Sequence, residues 1–237
     1  CWVENVATFE SPNAPTSGAG AGTHLQSGGI SVNQSKRVTV TACDIGYAEN
    51  RGTGGNGYLY EVVQSNEILY SHNTATAGRH NFIQNWGFGT SGVVWHDVVS
   101  LDGAAVPVKE LPQLATIGYS ELHHSLAMAN LVDNSYFSDG WSMINRLSES
   151  SGAGHTGTEN VLWNIQGPGL IRSANFGWGY VIGTAPETGV AAPFAWPLGE
   201  GTLPQDFIEG EGLGAGLEPS SLYLDQLQRR TGFAADN

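Results

Sequence analysis

Charge is scarce in this chain of 237 residues: Asp, Glu, Lys and Arg together make up 13%, about half the usual share. Cations are scarcer still, nine Lys plus Arg against 22 Asp plus Glu, for a formal net charge of −13. A phosphate backbone needs basic surface, so no nucleic-acid partner is expected. Anionic membrane surfaces are disfavoured for the same reason. The acidity also weighs against a strongly polyanionic glycan, unless the site is locally basic or bridged by metal. Cysteine is limited to Cys1 and Cys43, which excludes a disulfide framework and a Cys-rich zinc site; whether the two pair stays open. No run of about 18 apolar residues occurs, so no membrane-spanning helix is expected. No signal-peptide pattern opens the chain. Cys1 runs at once into Trp2-Val3-Glu4-Asn5-Val6, which reads as the middle of a coil. The expectation is that sequence once preceded it, with that missing part or a partner chain as neighbour. A lipidated or self-cleaved terminus is the alternative.

What the chain does hold is apolar and turn-forming. Hydrophobic residues make up 40% and there are 33 glycines, with seven Trp, eight Tyr and eight Phe spread along the length. Disorder is therefore not expected. Short β-branched or aromatic runs recur, each after a polar residue. The first apolar positions are Val6, Val38, Ile68, Val93, Leu131 and Val161. Their intervals are 32, 30, 25, 38 and 30 residues. Self-similarity at this period means a solenoid, a propeller or an array. The runs alternate as strands do and helical periodicity is nearly missing before residue 190. The expected class is all-β, a right-handed single-stranded parallel β-helix. Residues 1–184 would form the coils, with a loop inserted at about 101–120. A propeller and a β-sandwich are the alternatives. Three residues into each run stand Phe9, Thr41, Ser71, His96, Asn134 and Asn164, expected as a polar ladder beside a turn.

Residues 185–237 differ. Gly and Pro crowd 185–216, which reads as an irregular tail. Leu217–Gly232 then reads as a helix, with Pro219 in its first turn, Arg229 and Arg230 in its last and Gly232 at its stop. It is expected to cap an open coil end.

Titratable groups concentrate between Gly78 and His155. His124 lies seven residues and His155 six residues before the next run; His80 lies thirteen before, a difference a bulge at Gly87–Gly89 would absorb. With His123, eight before, the four histidines are expected along one face, where His80, His124 and His155 would be acid–base groups and Arg79 and Arg146 cationic stabilisers. Stacks of Asn, His and Ser also satisfy backbone groups at turns, so each histidine alone has a structural reading; the set argues for a task. Glu121, Asp139 and Asn145 are expected to bind substrate. Trp86, Trp141 and Trp178 are candidate platforms for sugar rings. No His-x-x-x-His or Cys-x-x-Cys spacing occurs, and no metal site is assigned. Asp44, Glu49, Glu61, Asp133 and Asp139 would suit Ca²⁺ through oxygen.

The stretch Gly78-Arg-His-Asn-Phe-Ile-Gln-Asn-Trp-Gly-Phe-Gly-Thr-Ser-Gly92 resembles segments of bacterial pectate-lyase-like right-handed parallel β-helices. His123-His-Ser-Leu-Ala-Met-Ala-Asn-Leu-Val-Asp133 and Glu218-Pro-Ser-Ser-Leu-Tyr-Leu-Asp-Gln-Leu227 do so too. The resemblance covers roughly residues 1–184. It implies a secreted or cell-surface protein that cuts or binds polysaccharide, as a lyase or a glycoside hydrolase. The superfamily's best-known signatures do not carry over: the Arg-x-Pro-x-x-Arg of pectate lyases is missing, and Gly154-His155-Thr156 matches only part of the polygalacturonase Gly-His-Gly. A non-catalytic adhesive solenoid is the alternative.

Overall fold

In the computed structural model, short parallel strands dominate the chain. The structure describes residues 1–237 except 19, 25, 52–54, 105, 108–114, 117, 193–205 and 233–237. Among the described residues there are three separate parallel sheets, of ten, seven and four strands. A two-stranded antiparallel pair, Val106–Pro107 with Ala115–Thr116, stands apart from them.

The chain visits the sheets in a fixed order. Gly28–Asn33 lies in the seven-stranded sheet, Lys36–Thr41 in the ten-stranded sheet and Asp44–Gly46 in the four-stranded sheet. Tyr58–Val63, Asn66–Ser71 and Thr74–Thr76 repeat that order, as do His80–Gln84, Ser91–His96 and Val99–Leu101. Ser120–Leu122, Leu131–Asp133 and Tyr136–Phe137 make the next round. Later rounds drop the third strand: Trp141–Met143 leads to Val161–Ile165, Ile171–Ser173 to Tyr180–Thr184, and Val190–Ala191 to Phe207–Glu209. Strand pairing thus continues past residue 184.

The corners explain how so tight a path is made. After the ten-stranded sheet, Ala42, His72, Asp97 and Asn134 each adopt a left-handed conformation, with φ of 51°, 54°, 49° and 48°. Such a backbone costs non-glycine residues on the order of 1–2 kcal/mol, least for Asn and Asp. Each corner N–H is taken up by the following round: Ala42 donates to the Ser71 carbonyl at 3.1 Å, His72 to His96 at 3.1 Å and Asp97 to Asp133 at 3.0 Å. The ladder therefore runs on through the turn, and stacked rounds hold the strained residue in place.

Inside, register turns sequence repeats into columns. Val40, Tyr70, Trp95, Val132, Leu162 and Val181 stand side by side on successive strands and all are buried. Tyr60 stacks on Phe82 at 4.8 Å, and Tyr70 lies parallel to Trp95 at 6.2 Å. Burying each such side chain contributes roughly 1.5–3 kcal/mol.

Parallel register excludes the sandwich and the propeller, which are built of antiparallel strands. Intervals of 30, 25 and 30 residues hold between Val40 and Tyr70, Tyr70 and Trp95, and Val132 and Leu162. Two others shift. Trp2–Glu4, not the run at Val6, pairs with Thr39–Thr41. Leu131 pairs with Val94 rather than Val93. One residue of slip exchanges the faces of a strand, so the partner of Ser71 and His96 is Asp133, with Asn134 at the corner beyond it. Asn134 and Asn164 still bond to each other, at 3.1 Å. The inserted loop at about 101–120 holds the antiparallel pair; its centre lies outside the described residues.

The C-terminal helix is shorter than the sequence suggests, Leu222–Thr231, with Ser221 as N-cap and Gly232 as C-cap. It lies against the side of the ten-stranded sheet. Ser221 Oγ donates to Asp133 Oδ2 at 2.5 Å, the Leu222 N–H to Asp133 Oδ1 at 2.8 Å, and Trp163 Nε1 to the Pro219 carbonyl at 2.9 Å. Its anchors therefore come from neighbouring rounds rather than from an open end.

Candidate functional site

Glu121 is the hub of the densest cluster, and alternation along its strand puts it there. Leu122 belongs to the apolar core and the Ser120 hydroxyl meets Ser100 Oγ inside at 3.1 Å. Glu121 between them must face away from the core. On that face it stands in register with Ile83 on one side and Ser142 then Arg172 on the other. Residue i+2 shares the face of residue i in extended chain, which brings His123 Nδ1 against Glu121 Oε1 in a very close contact. His80 Nε2, from the adjoining strand, lies 3.3 Å from the same oxygen. Arg146 Nη1 donates to Glu121 Oε2 at 3.0 Å.

The cluster is roofed by residues 145–155. The Arg146 N–H donates to the Gly154 carbonyl at 2.7 Å, and the Gly154 N–H to Leu147 at 2.9 Å. Ser150 and Ser151 turn the segment with φ of 51° and 65°. Arg146 Nη2 donates to Ser150 Oγ at 2.8 Å and His124 Nε2 to the Ser150 carbonyl at 2.5 Å. Glu121, His123, His124 and His80 are all buried, and Glu121 and His124 bond directly to this segment.

Burial opposes charge on Glu121, but the neighbouring His80, His123 and Arg146 outweigh it and hold the carboxyl well below its usual range. Burial pushes His80 down to about 4 against the pull of Glu121, so its ring is neutral at pH 7. Burial also lowers His124 and His155. Since its Nε2 carries the hydrogen given to Ser150, a neutral His124 keeps a bare Nδ1, which is buried without a hydrogen-bond partner among the described residues.

Aromatic rings line the corner where the chain leaves the seven-stranded sheet for the ten-stranded one. Trp86 stacks on His124 at 4.3 Å, and His155 packs on Phe176 at 5.0 Å. Trp86 is 56% exposed, and Phe88, Phe176 and Trp178 are exposed as well. In the first rounds this corner is tight, turning at Gln34 and Gln64. It lengthens where Trp86, His123, residues 145–155 and Trp178 fall.

The structure thus gathers His80, His124, Arg146 and Glu121, and sets His155 and Asn145 in the roof, bridged to each other. Arg79 lies over the Tyr58 ring at 5.8 Å, on the strand pair beside them. Two expected residues are elsewhere. Trp141 is 0% exposed, edge-on to Trp95 at 5.1 Å and to Phe137 at 5.4 Å, so it is core and no sugar platform. Asp139 is interior, accepting from Ser100 Oγ at 2.8 Å and Asn81 Nδ2 at 3.0 Å. The expected Ca²⁺ ligands are dispersed: Asp133 is spent on the helix N-terminus and Asp139 on this inner network. Sequence reasoning overlooked Arg172, which lies 3.8 Å over the Tyr119 ring, and set His123 on the histidine face without naming it as an acid–base group. The signal for His123 was its strand spacing from Glu121.

Compared with protein-family models, curated proteins and solved structures, the chain matches none. No helix among the described residues is long and apolar enough to cross a membrane.

Proposed function

We propose that the chain is a right-handed parallel β-helix of the pectate-lyase-like kind, and that its lengthened corner binds an extracellular polysaccharide and cleaves it by elimination. The observation that carries this reading is the convergence of His124, Arg146, His80 and Glu121 beside exposed Trp86. Trp86 and Trp178 belong to rounds three strand spacings apart, about 14 Å at the usual interstrand distance. A glycan lying along the stack would meet both, with the cluster between them. Aromatic faces bury the apolar faces of sugar rings.

Elimination from a uronate needs a base for the C5 proton and positive charge where the carboxylate becomes enolate-like. His124 Nδ1 is the base in this scheme: it takes the C5 proton, the C4–O bond breaks as the C4=C5 double bond forms, and the departing sugar oxygen takes a proton from water. Arg146, with Arg79 and Arg172 on the same side, provides the positive charge. Three of the chain's nine cations at one site supply the local basicity that an otherwise acidic protein needs for an anionic glycan. Hydrolysis is less well served. It takes a pair of carboxylates, and Asp139 is held in the interior.

The burial of His80, Glu121, His123 and His124 favours a second reading, a surface solenoid that binds glycan without turnover. A panel of polyuronates and neutral polysaccharides separates the two. Elimination gives ultraviolet-absorbing unsaturated ends, and Arg146→Ala or His124→Ala should slow their appearance at least about a hundredfold. Retention of a glycan with no new ends supports the binding reading. Neither turnover nor retention on any member refutes both.

A further inference from the structure

We propose that His80, Glu121 and His123 form a binding site for one divalent first-row transition metal ion, with Zn²⁺ as the best fit. Among the described residues these three are the group whose donor atoms lie together, all within 4.8 Å of one another, and all three side chains are buried. Two imidazoles and a carboxylate suit zinc and its neighbours. They do not suit Ca²⁺, which takes six to eight oxygens.

The decisive detail is at His80. A carbonyl oxygen only accepts, so the 2.7 Å contact between His80 Nδ1 and the Tyr119 carbonyl places the hydrogen on Nδ1. Nε2 is then the ring nitrogen left to face a metal; it is buried, makes no hydrogen bond among the described residues, and lies 3.3 Å from a carboxylate oxygen. A cation placed between the two would be held by both. The backbone contact on the far side of the ring is the usual way a metal-binding histidine is oriented and its tautomer fixed.

The rest of the arrangement is consistent. Glu121 presents Oε1 to both imidazoles, while Arg146 holds Oε2. The carboxylate is thus divided, one oxygen for the ion and one for the guanidinium. Metal–nitrogen and metal–oxygen bonds of about 2.0–2.2 Å in tetrahedral array set donors roughly 3.4 Å apart, the scale of the His80–Glu121 contact. In the metal-bound form the ion replaces the direct His123–Glu121 contact and His123 carries its hydrogen on Nε2. Three protein ligands leave a position for water or a substrate oxygen. This site does not depend on the glycan reading and its test needs no turnover.

The test is a titration of chelator-treated, metal-free protein. Isothermal calorimetry with ZnCl₂ should give one ion per chain, and Co²⁺ should develop visible absorption bands of a low-coordinate nitrogen–oxygen site. His80→Ala and His123→Ala should each weaken binding at least about tenfold, whereas His72→Ala, at an exposed histidine, should match the parent. CaCl₂ at the same concentration should not compete. The parent protein alone decides the main point whatever the variants do to folding: no stoichiometric Zn²⁺ or Co²⁺ binding overturns the proposal. Stoichiometric binding that survives both substitutions in folded variants overturns the assignment to these residues.

Discussion

Trp141 and Trp86 show how little a side chain's identity says about its work. Both are tryptophans beside polar neighbours, yet one has no exposed surface and the other is more than half exposed. Removing the buried ring leaves a cavity between Trp95 and Phe137, so Trp141→Ala should cost about 3–5 kcal/mol in denaturant unfolding. Trp86→Ala should leave stability within about 0.5 kcal/mol and weaken glycan retention instead. Asp139 is a second case. Burial pushes its carboxyl up to about 6 from 3.8, against the hydrogen bonds from Ser100 and the backbone. A carboxyl with a raised folded-state pKa binds its proton more tightly in the folded chain than in the unfolded one. Its contribution is present at low pH and is lost as pH rises from 3.8 through about 6. Other groups titrate in this window, and burial of neutral His80 acts in the opposite direction. The difference between parent and Asp139→Asn isolates the effect. Between pH 3.5 and 7.5 the parent should lose roughly 2–3 kcal/mol relative to the variant in urea unfolding. Equal slopes would rule this out.

At the level of elements, the C-terminal helix is held through its first turn. Ser221 Oγ accepts from the Leu224 N–H at 3.1 Å while donating to buried Asp133. One hydroxyl both caps the helix and ties it to the sheet. Ser221→Ala should therefore cost about 1–2 kcal/mol and release the amide protection of Leu222–Thr231 more than that of the strands. The sequence marks this helix clearly, because cap, stripe and stop are local features. It does not mark where the helix docks, because Asp133 lies 88 residues from Ser221. Glu121 and His123 teach the converse. Spacings searched as helical ligand pairs miss them, since on a strand the residue sharing a face is two away rather than four.

For the whole molecule, each round of strands rests mainly on its neighbours, so stability should vary along the stack. Amide exchange should be slowest in the middle rounds, Tyr58–Leu101 and Ser120–Ile165, where columns are closed on both sides. It should be fastest in Trp2–Glu4 and Phe207–Glu209, whose side chains are exposed or partly buried. Uniform protection from end to end would contradict a nearest-neighbour stack. The chain's composition and period by themselves determined the all-β, parallel, repeating character, because period-2 runs every 25–38 residues have few other ways to bury their apolar faces. The intervals were legible to within a residue wherever strands carried clear apolar runs. They failed at Leu131 by a one-residue slip, which leaves the pattern looking equally good, and at Val6 by five residues, since Thr39 pairs with Trp2 rather than Ala7. What only the tertiary structure decided was the company each polar residue keeps. His80 and Glu121 are 41 residues apart in the chain and 3.3 Å apart at their tips. Lateral register and burial bring them together, and neither is written in local sequence.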